Sequence, residues 1–158
     1  MKLTDIICDE AILDDLQSTE KKDAIAEIVD ALVKAGKIDK AARQKVIKAL
    51  MDREELGSTG IGMGVAVPHA KHDSVVDLVG AFARSKKGVA FDALDGEPVR
   101  VIFLLLSSKS ASGSHLEALA YISRLLRDDN YVRFLKEARD KESIKELLRE
   151  GDQNLGLG

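Results

Sequence analysis

Residues 99–106, with the sequence VRVIFLLL, constrain the fold more than any other segment of this chain. Seven of the eight are apolar, and those seven are all β-branched or large. A run of this kind is typical of a β-strand that is covered on both faces. Segments with helical periodicity precede and follow it, so the covering layers are predicted to be helices. For a chain of 158 residues we therefore expect a single α/β domain with a mixed β-sheet sandwiched between helices.

The other elements follow from apolar residues that recur at helical or alternating spacing. Thr19 is a candidate N-cap for the first helix, and Gly36 provides its end. The predicted helices span about 20–35, 39–50 and 115–126, with short ones at 132–135 and 144–148, and the predicted strands span 65–67, 78–84 and 99–106. We assign residues 1–150 to the domain and residues 151–158, GDQNLGLG, to a short, loose C-terminal tail.

Composition narrows the class of protein. Acidic and basic residues are interleaved at a net charge of −3, aromatic residues make up only 4%, and tryptophan is absent, which argues against nucleic-acid binding. The single cysteine, Cys8, excludes an internal disulfide and fits a reducing compartment. The N-terminus lacks the pattern of a signal peptide, and the longest apolar block, 101–106, is too short to span a bilayer. We therefore expect a cytoplasmic protein without direct membrane insertion.

The segment before the first histidine is the most informative about chemistry. Residues 57–64, GSTGIGMG, contain four glycines and lead through a short strand to a proline and a histidine. Glycine lets the backbone approach a ligand closely, and successive free N–H groups in such a loop form a concave anion site. Serine and threonine hydroxyls add further donors. The residues predicted to contact phosphate are Ser58, Thr59, Gly60, Gly62 and Gly64.

His69 is the candidate nucleophile. Pro68 restricts Val67 to extended geometry and ends the strand, so the imidazole is presented by a stiff approach. Imidazole is nucleophilic at neutral pH because its reference pKa is about 6.5, and its attack on phosphorus gives a phosphoramidate that can pass the group on. Such transfer needs positioning and charge stabilisation. Arg53 offers a planar fork for phosphoryl oxygens, and His115 offers a second imidazole near the start of a predicted helix.

Each of these residues also has a plainer interpretation. The glycine loop can be only a turn, and His69 can be an ordinary surface or core histidine. Arg53 can belong to a solvated ion cluster, and His115 can serve in helix capping or packing. His72 is interpreted as a solvated loop residue.

A metal site is the sharper alternative. His69 and His72 form His-x-x-His, and His115, Asp73 or Cys8 would complete the ligand set of a metal-dependent hydrolase. That spacing places both rings on one face only in a helix, which the proline before the first histidine argues against. We therefore predict no metal and no cofactor.

Three segments together resemble a known family. REELGSTGIGMGVAVPH, from Arg53 to His69, is similar to the active-site signature of the fructose/mannitol-type IIA domains of the bacterial phosphoenolpyruvate-dependent sugar phosphotransferase system. Nitrogen-regulatory IIA proteins share that fold. FDALDGEPVRVIFLLL, which begins at Phe91, and SHLEAL, which begins at Ser114, also resemble the family. The resemblance spans essentially the whole chain, although Ala70 stands where the family pattern commonly has glycine.

The resemblance implies a mixed sheet between helices and a phosphoryl group that reaches His69 from the phosphohistidine carrier HPr or its nitrogen-branch counterpart. It also implies that Arg53 and His115 surround the phosphorylated histidine. The expected function is a phosphotransferase component that passes the group to a separate IIB-type acceptor in sugar uptake. The alternative is a regulatory, nitrogen-type IIA protein whose phosphorylation state controls its binding to target proteins.

Overall fold

Six helices and six strands make up the computed structural model, which describes residues 1–156. In chain order they are α1 (Leu3–Ile6), β1 (Ile7–Leu13), α2 (Lys21–Lys34), α3 (Arg43–Glu55, preceded by a 3-10 turn at Lys40–Ala42), β2 (Gly60–Gly62), β3 (Val65–Ala66), β4 (His69–Lys71), β5 (Leu78–Val89), β6 (Val99–Ser107), α4 (Ser112–Leu125), α5 (Asp129–Glu137) and α6 (Lys141–Gly156). None of these helices is both long and apolar enough to cross a membrane.

The strands form one mixed sheet, which confirms the predicted fold class. β1 pairs parallel with β5, and β5 pairs antiparallel with β6. On the other side of β6, both β3 and β4 run parallel to it, and β2 pairs antiparallel with β3 at the far edge. β6, the strand with the most continuous apolar sequence, is therefore the centre of the sheet.

Successive side chains of β6 face two different helical layers. Ile102 and Leu104 belong to an apolar cluster with α2 and α3. Val101 and Phe103 belong to a second cluster, which contains residues of α1, α4, α5 and α6. Because neighbouring residues of a strand point to opposite faces, this arrangement requires apolar residues at consecutive positions. The prediction of a strand covered on both faces is confirmed.

Several boundaries differ from the predictions for identifiable reasons. Thr19 does not cap α2, since Glu20 occupies the N-cap position; the Thr19 carbonyl accepts a hydrogen bond from the Ala90 N–H at 2.8 Å. β1 was not predicted, since Asp9 and Glu10 interrupt its apolar pattern; both are exposed on this edge strand. Pairing with β6 resumes after Pro68, so the histidine that follows begins strand β4.

The prediction of a loose tail from residue 151 onward is wrong, because helix α6 runs through most of that segment. The helix continues to Gly156, and the buried carboxylate of Asp152 accepts hydrogen bonds from the Leu3 N–H at 2.7 Å and the Tyr121 hydroxyl at 2.6 Å. It also accepts from the Thr4 N–H at 3.1 Å. The C-terminal segment thus ties α6 to α1 and α4. The last two residues of the predicted tail, 157 and 158, lie outside the described residues.

Candidate functional site

A cleft of about 580 Å³ opens between α3, β4 and α4. Parallel pairing places His69 opposite Leu105 of β6, and the same central strand leads on to α4. The residue that begins β4 therefore meets the first turns of a helix more than forty positions later in the chain. The cleft is lined by Ala49, Asp52, Arg53, Leu56, His69, Ala70, Lys71, His115, Leu116 and Leu119. All three predicted catalytic residues are among them.

The ring of His69 is fixed by a backbone hydrogen bond. Its Nδ1 lies 2.8 Å from the carbonyl oxygen of Val67, two residues earlier. Because a carbonyl oxygen can only accept, Nδ1 carries the hydrogen in this contact. In the neutral ring, the lone pair is then on Nε2, which makes Nε2 the nucleophilic atom.

The surroundings of His69 keep it neutral. Burial lowers the pKa of the half-buried imidazole below its ordinary value, and the positive charge of Arg53 lowers it further. The hydrogen bond to Val67 and the charge of Glu54 oppose this shift. A lowered pKa means that the unprotonated, nucleophilic form predominates at neutral pH.

His115 lies beside His69 but is held differently. The ring centroids are 5.6 Å apart, with the planes inclined at 57°. His115 is only 3% exposed, and its Nδ1 lies 2.6 Å from the buried Oγ of Ser107, the last residue of β6. Burial, the positive charge of Lys71 and, when that ring is protonated, the charge of His69 lower the pKa of His115 to about 4. It is therefore a neutral imidazole with its second nitrogen left for another partner.

Two cations line the same cleft. Arg53 lies in the last turn of α3, where its Nη1 donates to the carbonyl of Gly57 at 2.9 Å. Lys71, at the end of β4, donates from Nζ to the Ser112 hydroxyl at 3.0 Å. Lys71 was not predicted from the sequence, because only the pairing of β4 with β6 brings it to the start of α4. Together the two cations make the cleft attractive to an anion.

The glycine loop lies outside the cleft lining. Ser58 Oγ donates to the Phe91 carbonyl and accepts from the Gly60 N–H, both at 3.0 Å, and Thr59 is buried against Glu54. A Cβ at Gly60 would stand 2.8 Å from that of Ala93, so glycine here allows close packing.

The other two glycines adjoin the β2–β3 turn. Gly62 and Gly64 have positive φ, and a Cβ at these positions would contact Asp95 and Lys136, respectively. The structure thus brings together Arg53, His69 and His115 but none of the five residues predicted to contact phosphate. The three glycines instead lie in the β2–β3 hairpin, and the two hydroxyl residues just before it are bonded to Phe91 and Glu54.

Apolar side chains surround the histidine pair. Leu56 is 85% exposed and Leu116 is 66% exposed, and both line the cleft. Large exposed apolar side chains beside a reactive group are typical of a protein-docking surface.

The residues of the metal alternative do not converge. The His72 Nδ1 lies 2.7 Å from the Ser74 hydroxyl, within its own loop. Among residues 1–156 no three histidine, cysteine, aspartate or glutamate side chains are grouped closely enough to hold a metal ion.

Comparison with known proteins gives matches along nearly the whole chain. Residues 5–151 match the family model of the phosphoenolpyruvate-dependent sugar phosphotransferase system, EIIA 2. A nitrogen regulatory protein of Bradyrhizobium diazoefficiens is 39% identical over 148 residues, which cover 94% of this chain and 95% of the relative. The fructose-specific EIIABC component of Bacillus subtilis is 39% identical over 153 residues, which are 97% of this chain but 24% of that protein.

Solved structures share the fold. The nitrogen regulatory protein IIA-Ntr from Neisseria meningitidis has a TM-score of 0.82 at 34% identity and covers 91% of this chain and 97% of its own. A complex of enzyme IIAMTL and phosphorylated enzyme IIBMTL from Escherichia coli has a TM-score of 0.75 at 23% identity, covering 89% of this chain and 95% of the matched one. Sequence and fold agree along almost the full length, and this chain belongs to the EIIA type 2 family of the phosphoenolpyruvate-dependent sugar phosphotransferase system.

Proposed function

We propose that this protein is a histidine phosphocarrier that accepts a phosphoryl group on Nε2 of His69 and passes it to a second protein. The observation that carries this proposal is the 2.8 Å contact between the His69 Nδ1 and the Val67 carbonyl. That contact leaves the other ring nitrogen unprotonated in a cleft that also holds Arg53 and Lys71.

The transfer is two successive displacements at phosphorus. The lone pair of Nε2 attacks the phosphorus of a phosphohistidine donor, a new P–N bond forms, and the donor's P–N bond breaks. A nucleophile of the acceptor then attacks the same phosphorus, and the bond to His69 breaks. Arg53 and Lys71 offset the charge on the phosphoryl oxygens, and His115 donates a hydrogen bond to them.

Family membership supports an HPr-like protein as the donor. The exposed Leu56 and Leu116 suit the docking of such a partner, because a phosphoryl group bound to a carrier arrives with a protein surface around it. We propose that both partners meet this chain in the cytoplasm. The Bacillus relative's name, EIIABC, supports a IIB-type acceptor in sugar uptake.

The regulatory role is the second candidate. It is favoured by the end-to-end match with the Bradyrhizobium nitrogen regulatory protein, of which this chain covers 95%. In this role the phosphoryl group is a switch, since it adds charge and acceptor oxygens to the docking surface. Incubating the phosphorylated protein with a purified fructose-type IIB domain separates the two roles. Transfer of the group supports sugar uptake, and its retention on this chain supports regulation.

The phosphocarrier proposal is tested by incubating the protein with phosphoenolpyruvate, enzyme I and HPr and then measuring its intact mass. We expect the addition of one acid-labile phosphoryl group to the wild type and none to His69→Ala. His72→Ala is the matched control, because its ring contacts Ser74 in a separate loop and is expected to label normally. Normal labelling of His69→Ala would refute the assignment of the nucleophile.

A further inference from the structure

Glu54 is a buried carboxylate behind the histidine cleft rather than in its lining. It follows Arg53 in the last turn of α3, and its side chain is 2% exposed. Its Oε2 accepts from the Thr59 N–H at 2.9 Å, and its Oε1 accepts from the Thr59 hydroxyl. The Lys21 ammonium, 3.5 Å away, supplies the opposite charge. A carboxylate so deeply buried is costly unless all its hydrogen-bond partners are in place. The Glu54–Thr59 pair therefore holds the start of the glycine loop firmly.

From this pair a short series of hydrogen bonds leads to the nucleophile. The Thr59 carbonyl accepts from the Val67 N–H at 3.0 Å. The Val67 carbonyl in turn accepts from the His69 Nδ1–H at 2.8 Å. Three contacts thus connect the buried carboxylate with the ring nitrogen that must keep its hydrogen.

The same loop also reaches Arg53. The Gly57 carbonyl accepts from the Arg53 Nη1 at 2.9 Å, and the Gly57 N–H donates to the Glu54 carbonyl at 3.1 Å. Gly57 is two residues before Thr59, so the contact that fixes the threonine also limits the movement of this carbonyl. One buried pair therefore supports both the nucleophile and a cation of the cleft.

These links transmit position and not protons. The N–H and the carbonyl of one residue belong to different peptide units, so no continuous path for a proton passes through Thr59 or Val67. What they do fix is the place of the Val67 carbonyl, and this carbonyl selects the tautomer of His69.

We propose that Glu54 and Thr59 are positioning residues that fix the nucleophilic tautomer of His69 and the orientation of Arg53. This inference rests on the proposed phosphoryl transfer for its functional meaning. Its structural claim concerns an imidazole tautomer and is measured without any donor protein.

The test is two-bond ¹H–¹⁵N correlation NMR on ¹⁵N-histidine-labelled protein, which shows the nitrogen that carries each ring hydrogen. For His69 in the wild type we expect protonated Nδ1 and bare Nε2. In Glu54→Gln, which keeps the shape but removes the charge, we expect a mixture of tautomers. The rate of phosphoryl uptake should fall about ten- to a hundredfold, as for a small misplacement of reacting groups.

Matched variants separate positioning from general damage. Glu55→Gln removes an exposed carboxylate at the next position of the same helix and should change neither the tautomer nor the rate. Thr59→Val keeps the backbone hydrogen bond and loses the hydroxyl, so a smaller change in the same direction is expected. Thr59→Ser should recover what Thr59→Val loses.

The inference is overturned when Glu54→Gln and Thr59→Val are folded and both show the wild-type His69 spectrum. If Glu54→Gln does not fold, Thr59→Val decides. If the wild type takes up no phosphoryl group, the proposed function fails, whereas the tautomer pattern still decides whether this pair positions His69.

Discussion

The two walls of the cleft hold their histidines in opposite ways, although the rings are only 5.6 Å apart. On the β4 wall, His69 is half-buried and donates from Nδ1 to a backbone carbonyl. On the α4 wall, His115 is almost fully buried and contacts a serine hydroxyl. A carbonyl only accepts, whereas a hydroxyl donates or accepts. His69 therefore has one defined nucleophilic atom, whereas His115 can take either tautomer when it contacts the phosphoryl group.

Replacement of His115 by alanine tests this division of roles. Among the variants that follow, it is expected to change a transfer rate the most. The phosphoryl group should still be taken up, because the nucleophile is intact. Onward transfer should slow about a hundredfold, within the range for loss of a positioned donor. Single-turnover transfer from the isolated phosphorylated variant to an acceptor domain measures the rate. An onward rate equal to that of the wild type would remove His115 from the mechanism.

Acid is expected to destabilise the folded protein through His115. An unfolded histidine takes a proton below about pH 6.5, whereas the folded protein keeps His115 neutral down to its pKa of about 4. Protonation thus favours the unfolded state as the pH falls from 6.5 to 4, and the stabilisation present above that window is lost. We expect the free energy of unfolding to fall by about 2 kcal/mol between pH 7 and pH 4.5 through this residue. Urea titrations at both pH values measure it.

The control for acid stability is His115→Ala, which lacks the titrating ring. Its free energy of unfolding should depend less steeply on pH than that of the wild type, whatever its absolute stability. Equal slopes for the two proteins would contradict the lowered pKa of His115.

Arg53→Ala is expected to slow phosphoryl uptake about tenfold, because one of two cations near the phosphoryl oxygens is lost. Arg53→Lys should recover only part of the rate, since a lysine lacks the planar fork. Arg53→Ala should also raise the pKa of His69, because the arginine charge lowers it. Quenched time courses of phosphoryl uptake give the rates, and an NMR titration gives the pKa of His69. Unchanged values would exclude a role of Arg53 in the transfer.

Ser107→Ala is the mildest change, since it removes only the anchor of His115. We expect onward transfer to slow a few-fold, at a cost of about 1 kcal/mol for one lost hydrogen bond. In the His115→Ala background the same substitution should have no further effect on this rate. A further loss in the double variant would show that the serine acts independently of the histidine.

Much of the fold was predictable because its strongest signals are local. The apolar run of β6 and the helical spacing in α2, α3 and α4 depend on consecutive residues. Strand β1 was missed because its charged residues are exposed at the sheet edge. The helical segment after Gly151 was missed because its polar composition resembles a tail, and the partners of Asp152, Leu3 and Tyr121, are distant from it in sequence.

The site also contains residues that the sequence indicates locally and residues that only the tertiary structure brings into place. His69, Arg53 and His115 were predicted from their chemistry and supported by the family resemblance, and the cleft unites them. Lys71 and Ser107 carry no local signal, since their roles arise from the pairing of β4 with β6. The phosphate contacts expected of Ser58 and Thr59 rested on loop composition alone, which does not reveal that both hydroxyls turn inward.

The central claim is that the Val67 carbonyl leaves Nε2 of His69 as the atom that takes the phosphoryl group. Phosphorylated protein carrying ¹⁵N-histidine gives the most direct test, because the phosphorus–nitrogen coupling identifies the bonded atom. We predict coupling to Nε2 of His69. Coupling to Nδ1 of that ring, or to either nitrogen of His115, would contradict it.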